Sequence, residues 1–501
     1  MYNNKNMLEI PKHIIDILRT FDKSGFSVEL VGGSVRNLLM NQIPSDYDLT
    51  TNAQPEQILK LLPNSKYNND FGTVILPIKD KDDKVLSVVE ITTYRSETGY
   101  SDHRHPGSVK FETDIKADLR RRDFTVNAMA LRLLAKDEKQ DGVYQFGKYS
   151  FLLIDLFKGK KDIKEKIVRA VGEPEFRFKE DALRMLRAVR FCVQLDFELE
   201  PKTARAITKL AASIKFIANE RIRDELVKIL SSKKPDVGIE LLFSLKLLNY
   251  IIPELIAGDG VKQNHHHIYT VLKHNTLSLK HCPNPDWRVR LASLLHDVGK
   301  PKARKTIKGQ TTFYNHEYIG AKMVDKIMTR LRFSQEDKEK VVNLVRHHMF
   351  YYNVGEVTAT SVRRLIRKVG KENLSDLIDL RVADRLGSGT PKAMPYKLRH
   401  LQYMIDKVQH DPVSVKNLKI DGNDLINELS IKPGPQIGAI LDVLLGEVIV
   451  DPSLNKKSYL KKRAKELLSY NLLDLRKKAK DLIEGKREEE DKEIKNKFKV
   501  K

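Results

Sequence analysis

Hydrophobic and polar positions follow two rhythms along this chain. Over residues 7–22, Leu8, Ile14, Ile15 and Leu18 recur at helical spacing and predict an amphipathic helix. Residues 28–31 form a short apolar run that reads as a buried strand, broken by Gly32-Gly33-Ser34. Residues 35–40 resume as a helical start, and residues 55–62 predict a short helix. Two strand patterns follow, at 73–78 and 85–93, separated by the charged turn 79–84. Residues 95–113 have no clear period and many turn formers, and read as a mobile loop. Residues 117–131 look helical, and the α/β pattern ends near residue 155. From 167 to 230 the spacing predicts helix throughout, and another helix is expected at 287–298. The fold class expected is α+β: strands and helices to about residue 155, then mostly helical segments.

Composition narrows the class. The chain has 501 residues, 41% hydrophobic and 31% charged, long enough for several globular domains. Its formal net charge is +23, from 90 Lys and Arg against 67 Asp and Glu, which favours a polyanionic partner. A lysine-rich proteome would account for part of that. The two cysteines, Cys192 and Cys282, exclude a disulfide framework and a Cys-rich zinc finger. The first residues lack a signal-type apolar core, and no run of about 18 apolar residues occurs, so no membrane partner is expected. A cytoplasmic enzyme is the expectation.

The chemistry starts at the glycine turn. A strand–Gly-Gly-Ser–helix sequence leaves backbone N–H groups at the positive end of a helix dipole. That is a phosphate cradle, made by Gly32 and Gly33, to which Ser34 and Arg36 can add donors. Asp46-Tyr47-Asp48 follows and runs into Leu49-Thr50-Thr51. On a strand both carboxylates would face one side, and two like charges that close call for a hard divalent cation such as Mg²⁺. A lone Gly-Gly turn is common and a lone DxD is usually a solvated loop. Their order together points to nucleotidyl transfer: glycines hold a triphosphate and carboxylates hold metals. Glu90 lies in a β-branched apolar run, where a buried unpaired acid is costly. It is either at an exposed strand end or a third metal ligand, the reading favoured here.

Two further stretches carry candidate contacts. Arg121, Arg122 and Asp123 lead into the apolar face of 117–131, with Asp123 and Asn127 at i,i+4; the arginines could meet phosphates or could simply end a solvated basic helix. In EDALRMLRAVRF, Glu180, Asp181 and Arg184 can share a helical face. Most such pairs are surface ion pairs. The sharper reading is base recognition. Cytosine and adenine each show an amino donor beside a ring-nitrogen acceptor, whereas uracil and guanine show the reverse. A carboxylate accepting from the amine and a guanidinium donating to the ring nitrogen would take CTP and ATP and refuse UTP and GTP. Residues 220–225, with Arg221, are expected to brace that helix by ion pairs.

GGSVRN, DYD, RRDFTVNA, EDALRMLRAVRF and NERIRDE occur in this order over residues 30–230. As a set they resemble the class II tRNA nucleotidyltransferase and poly(A) polymerase family, which includes the bacterial CCA-adding enzymes. The resemblance implies a nucleotidyltransferase head with a small mixed sheet (1–155), a helical neck (156–235), a helical body with an HD domain (236–400) and a helical tail (401–501), with tRNA, CTP and ATP as partners and no obligate protein partner. It implies that Asp46 and Asp48, with Glu90, hold two Mg²⁺ ions. It places Arg122, Asp123 and Asn127 on the ribose and triphosphate, and Glu180, Asp181, Arg184 and Arg187 in nucleotide recognition. The expected activity is template-independent addition of C, C and A to the tRNA 3′ end. An A-adding enzyme or a poly(A) polymerase of the same family is the alternative; another is a phosphohydrolase whose head only binds RNA. The chain departs from the family at Asn37, where Asp is usual, and at Asp155-Leu156-Phe157-Lys158-Gly159, where the family has DPFGG. Family members that add only CC have a shortened loop at 95–113, whereas this chain keeps Asp102, Arg104 and Pro106.

Residues 265–400 carry a second constellation. His274, His296-Asp297 and Asp384 have the make-up of a His/carboxylate metal site. They resemble the core ligands of an HD phosphohydrolase domain, with a divalent metal of unknown identity. His316 and His347 could extend the site or position a phosphate, and His265-His266-His267 reads as an exposed helix start. The domain is expected either to hydrolyse phosphate esters or to serve as a structural body. Further on, Lys432-Pro433-Gly434-Pro435 predicts a turn and a helix start. Residues 456–501 hold 17 Lys and Arg against 9 Asp and Glu, so tRNA phosphate contacts are expected there. Residues 486–501 read as a frayed helix or disordered.

Overall fold

Pro11 sets where the first helix begins. In the computed structural model α1 runs Lys12–Lys23, later than the apolar spacing suggests, with Pro11 at its N-cap. A residue that cannot donate a hydrogen bond is tolerated at a helix start, not further in. The structure describes all residues except 1–7, 70–71, 99–107, 136–140, 264–267, 308–309, 391–393, 410–414, 416–417, 430–432 and 501. Asp102, Arg104 and Pro106, the triple histidine at 265–267, and Lys432 therefore lie outside the described residues.

The chain divides into two compact units, residues 1–346 with 386–389, and residues 347–385 with 390–501. In the first unit α1 leads into β1 (Val28–Val31), α2 (Gly33–Leu39), β2 (Asp48–Thr51) and α3 (Pro55–Leu61). Next come β3 (Lys66–Asn69), β4 (Thr73–Lys79), β5 (Val85–Thr93), β6 (Arg95–Thr98) and β7 (Ser108–Phe111). Then α4 (Ile115–Arg120), a 3-10 turn at Thr125–Asn127, β8 (Ala130–Leu133), β9 (Val143–Phe146) and β10 (Tyr149–Ile154) complete the head.

Eight strands form one mixed sheet in the order β3-β4-β5-β2-β1-β8-β10-β9. All neighbours are antiparallel except β2 and β5, which run parallel. The apolar face of α1 packs with Leu30, Leu49, Val89 and Ile91 in the core on one side of this sheet. Residues 95–113 are not wholly irregular: β6 and β7 pair as the two arms of the loop. Residues 117–131 are not one helix. Phe124 is extended, and residues 126 and 128–131 are fully buried, which a surface helix cannot offer. The segment enters the sheet instead, between β1 and β10.

The chain continues with α5 (Gly159–Glu165), β11 (Ile167–Val168), α6 (Pro174–Glu180), α7 (Leu183–Leu195), β12 (Glu198–Leu199), α8 (Pro201–Leu210) and α9 (Asn219–Leu230). The expected unbroken helix is thus interrupted. β11 and β12 pair in parallel, and Asp181 is extended between α6 and α7. After α10 (Pro235–Ser244), α11 (Leu248–Ile251) and α12 (Pro253–Ile256) come α13 (Val271–Lys280), α14 (Trp287–Leu295) and α15 (Lys300–Ala303). A small hairpin of β13 (Lys305–Ile307) and β14 (Gln310–Thr312) precedes α16 (His316–Arg330) and α17 (Gln335–His347). Cys192 and Cys282 are buried and form no disulfide.

The second unit is helical among the described residues: α18 (Ala359–Val369), α19 (Leu374–Gly387), α20 (Tyr396–Gln409), α21 (Gly422–Leu429), α22 (Pro435–Val450), α23 (Lys457–Leu467) and α24 (Leu472–Phe498). Pro435 occupies the first turn of α22, as Pro tolerates. The C-terminal stretch is one continuous helix, not a frayed end. Leu475 and Ala479 of α24 are buried in the core that α22 supplies, and the polar part is tied by Asp491 to Tyr403 and Lys407 of α20 and to Lys495 at i,i+4. No helix among the described residues is long and apolar enough to cross a membrane.

Candidate functional site

The glycine turn is built by close approach. Gly32 has φ +75°, and a methyl group there would stand 3.1 Å from Arg122 Nη1 and 3.7 Å from Asp48 Oδ2. Glycine is needed for both the backbone angle and the space. Ser34 is buried, and its Oγ donates to the Val31 carbonyl at 2.8 Å. Its hydroxyl therefore closes the turn rather than pointing outward as a donor. Arg36 is held by amide oxygens: it donates to Asn127 Oδ1 at 2.5 Å and, from Nε and Nη2, to Asn37 Oδ1 at 3.2 and 2.9 Å. Asn37 thus still braces Arg36, but without a negative charge. Burial pushes the Arg36 guanidinium down to about 10; Asp123 opposes this, and Arg190 and Arg187 add to it.

The carboxylates gather beside this turn. β2 begins at Asp48, so Asp46 lies just before the strand, with buried Tyr47 between them. Asp48 is half-buried and pairs in register with Glu90 across the parallel β2–β5 ladder. Glu90 is mid-strand and exposed, which removes the cost of burying an unpaired acid. Burial, helped by Glu90 and Asp46 and opposed by Arg122, raises the Asp48 carboxyl to about 6. Oxygen donors of this kind suit a hard divalent cation, although the ligand atoms of Asp46, Asp48 and Glu90 are not among the groups of three that lie within 4.8 Å of one another.

The next residues form a relay. Asn127 Nδ2 donates to Asp123 Oδ1 at 3.4 Å, although the intervening backbone is not α-helical. Asp123 also accepts from the Phe124 N–H at 2.8 Å and from Arg187 Nε at 2.7 Å. Burial alone would raise the Asp123 carboxyl, but Arg187 and Arg184, with these hydrogen bonds, hold it down at about 2. Arg36, Arg187 and Arg190 all lie over the Phe191 ring, at 5.5, 5.4 and 4.5 Å from its centroid.

Glu180 and Arg184 pair as their spacing suggested, with Nη1 to Oε2 at 2.6 Å. Asp181 does not join them. The helix break turns it to Arg221 of α9, whose Nη2 donates to it at 2.8 Å. Arg184 Nη1 also donates to the Arg177 carbonyl at 3.3 Å, and its Nη2 to the Arg121 carbonyl at 3.1 Å. One residue escaped the sequence reading. Asp118 is fully buried and accepts from both Arg121 and Arg122. Its i,i+3 and i,i+4 spacing to them was the available signal. In the DPFGG-like segment, Asp155 accepts from the N–H groups of Gly159 and Lys160 at 2.7 and 3.0 Å, which makes it a structural turn.

A second cluster lies in the same unit. α13 presents His274, His296 caps the C-terminus of α14, Asp297 follows, and His316 starts α16. Gly299 lets α16 approach: a methyl group there would stand 2.2 Å from the His316 carbonyl. His274 Nε2 and His296 Nε2 are each 3.3 Å from Asp297 Oδ2, and His316 Nε2 is 3.2 Å from Oδ1. His296 Nδ1 and His316 Nδ1 each lie 2.8 Å from a backbone carbonyl, of Ser293 and Phe313. A carbonyl can only accept, so each Nδ1 carries the hydrogen and a neutral ring turns its Nε2 lone pair toward the carboxylate. Burial would raise Asp297, yet the Lys300 ammonium, 2.5 Å away, holds it well below the usual range. The ligand atoms of His274, His296 and Asp297 lie within 4.8 Å of one another, which fits a metal ion. Asp384 belongs to the second unit, where it is buried on α19 and accepts from Arg381 at 2.7 Å. Of the adjacent pair, His348 is buried and His347 only partly so.

Residues 28–169 match the Poly A polymerase head domain, 196–258 the probable RNA and SrmB-binding site of polymerase A, and 267–388 the HD domain. The chain is 32% identical over 441 residues to the A-adding tRNA nucleotidyltransferase of Deinococcus radiodurans, covering 84% of this chain and 92% of the relative. It is 32% identical over 464 residues to the CCA-adding enzyme of Ligilactobacillus salivarius, covering 91% and 96%. The solved CCA-adding enzyme of Bacillus stearothermophilus in complex with CTP is similar in fold, with a TM-score of 0.56, 23% identity, and 90% of this chain and 97% of that one covered. Sequence motifs, site geometry and relatives agree: the chain belongs to the tRNA nucleotidyltransferase and poly(A) polymerase family, among the relatives of the CCA-adding enzymes.

Proposed function

We propose that this chain is a template-independent CCA-adding tRNA nucleotidyltransferase, which extends tRNA 3′ ends with C, C and A from CTP and ATP and releases pyrophosphate. The observation that carries the reading is the in-register pair Asp48–Glu90 standing beside Gly32 and Arg122. Asp46, Asp48 and Glu90 would hold two Mg²⁺ ions, which supply charge neutralisation and activate a hydroxyl when bound. The backbone of Gly32 and Gly33, with Arg36 and Arg122, binds the triphosphate. Asp123 and Asn127 orient the ribose, and Arg187 fixes Asp123. Arg184, oriented by Glu180, and Asp181, oriented by Arg221, read the amino and ring-nitrogen edge shared by C and A. The tRNA 3′-hydroxyl attacks the α-phosphate in line.

Residues 1–155 are read as the catalytic head, 156–235 as the base-reading neck, 236–400 as a body with the HD centre, and 401–501 as a tail that meets tRNA phosphates through its basic C-terminus. Such an enzyme works in the cytoplasm. The HD centre, for which His274, His296, Asp297 and His316 supply ligands, is read as a metal-dependent phosphohydrolase. The Deinococcus relative favours a second reading, an enzyme that adds only the terminal A. The test is incorporation of labelled CTP, ATP, UTP and GTP, offered singly on tRNA transcripts. Incorporation of C and A but not U or G, lost in Asp48→Ala, supports the proposal. Incorporation of A alone favours the second reading, and none from any nucleotide overturns both.

A further inference from the structure

We propose that Asp118 is a positioning residue that couples triphosphate binding to base selection. It touches neither end itself. Its carboxylate is fully buried, and each oxygen takes one arginine fork. Oδ1 accepts from Arg121 Nε and Nη2 at 3.0 and 2.7 Å, and Oδ2 from Arg122 Nε and Nη2 at 3.3 and 3.0 Å. One carboxylate thus fixes two adjacent guanidiniums that would otherwise repel each other.

The two arginines lead in opposite directions. Gripped by Nε and Nη2, Arg122 presents Nη1 beside Gly32 and Asp48, at the triphosphate and metal end. Arg121 leads to the base-reading end: its carbonyl accepts from Arg184 Nη2 at 3.1 Å. The Arg120 carbonyl, one residue earlier, accepts from Arg177 Nη1 at 3.1 Å, and Arg177 pairs with Glu180, the partner of Arg184. The C-terminal end of α4 therefore anchors Arg184 through main-chain oxygens, and Asp118 anchors that end by its side chains. A shift of either fork moves the other, because the two share a single carboxylate.

The inference rests on Arg122 as a phosphate contact and Arg184 as a base reader, and the experiment separates the two questions. Steady-state kinetics with each nucleotide on a tRNA transcript would compare the wild type with Asp118→Asn, Arg121→Lys, Arg122→Lys and Arg184→Ala. Asp118→Asn is expected to raise KM for CTP and ATP about tenfold or more and to lower the preference over UTP and GTP by a similar factor, the scale of losing hydrogen bonds to charged groups. Arg122→Lys should reproduce only the KM rise, and Arg121→Lys only the loss of preference. A merely structural aspartate would lower kcat with the amount of folded enzyme and leave KM and preference unchanged; that result overturns the coupling. Where Asp118→Asn does not fold, the two lysine variants carry the test, and the same defect in both, or none in either, overturns it. Wild-type preference in Arg184→Ala would overturn the base reader on which the inference depends, whatever the other variants do.

Discussion

Asp48 and Glu90 stand opposite each other on neighbouring parallel strands, β2 and β5. The pairing is locked by what lies one residue on. Leu49 pairs with Ile91, and both are buried in the core under the sheet. A slip of β2 by one residue would turn Asp48 toward that core and Leu49 away from it. Hydrophobic burial on one face therefore fixes the carboxylates on the other. The same crowding makes Asp48 costly as an anion.

Asp48→Asn should remove nucleotide incorporation by about a thousandfold or more, the scale seen when a principal charge-stabilising group is lost. In the absence of divalent metal it should leave the thermal midpoint unchanged or raise it, because one of three crowded carboxylates is gone. Thermal scans in chelator, paired with the activity assay, check both. A large fall in the midpoint would make Asp48 structural.

Arg184→Ala should relax base selection. A guanidinium that donates to a ring nitrogen rejects a base presenting an N–H there, and such sites discriminate by up to about 10⁴. The preference of CTP over UTP is expected to fall at least a hundredfold, measured as the ratio of kcat/KM values. Arg221→Ala should produce a smaller loss in the same direction, since Arg221 holds Asp181.

His296→Ala should abolish metal binding at the second centre and leave nucleotide addition intact. Metal content of the purified protein and calorimetric titration with Mn²⁺, Zn²⁺ or Mg²⁺ check the first part. Unaltered metal stoichiometry would remove His296 from the centre. Loss of addition with full folding would make the region a tRNA-binding body.

Asp286 should make stability depend on acid pH. It caps α14, accepting from the Arg288 N–H at 2.9 Å, and pairs with Arg288 and Lys340 at 2.7 and 3.0 Å. Burial would raise its carboxyl, but these hydrogen bonds and charges hold it at about 2. Its folded value lies below the unfolded one. Its contribution, about 1 kcal/mol once solvent screening is allowed for, is therefore present above pH ~4 and is lost as pH falls toward 2. Asp286→Asn should lower the thermal midpoint at pH 7, with the difference vanishing near pH 2. A difference that persists at pH 2 would contradict the assignment.

The parts of the site that are contiguous in the chain were legible in the sequence. The glycine turn, the strands carrying Asp48 and Glu90, and the Glu180–Arg184 pair all follow from local spacing. Partners brought together through space were harder to read. Asp181 meets Arg221 because the helix breaks at Asp181, and a break between two apolar-periodic helices leaves the periodicity intact. Residues 117–131 carry helix-like spacing, yet complete burial draws them into the sheet, where tertiary pairing overrides propensity. Asp118 was visible by spacing alone, but its importance depends on carbonyl contacts to Arg184 and Arg177 that no side-chain pattern encodes.

The most direct test of the account is primer extension on three tRNA transcripts, ending in the discriminator base, in C and in CC, with CTP and ATP and Mg²⁺. The account predicts two C and one A on the first, one C and one A on the second, A alone on the third, and then a stop. Extension of only the CC-ended transcript, or long A tracts on any RNA, would contradict it.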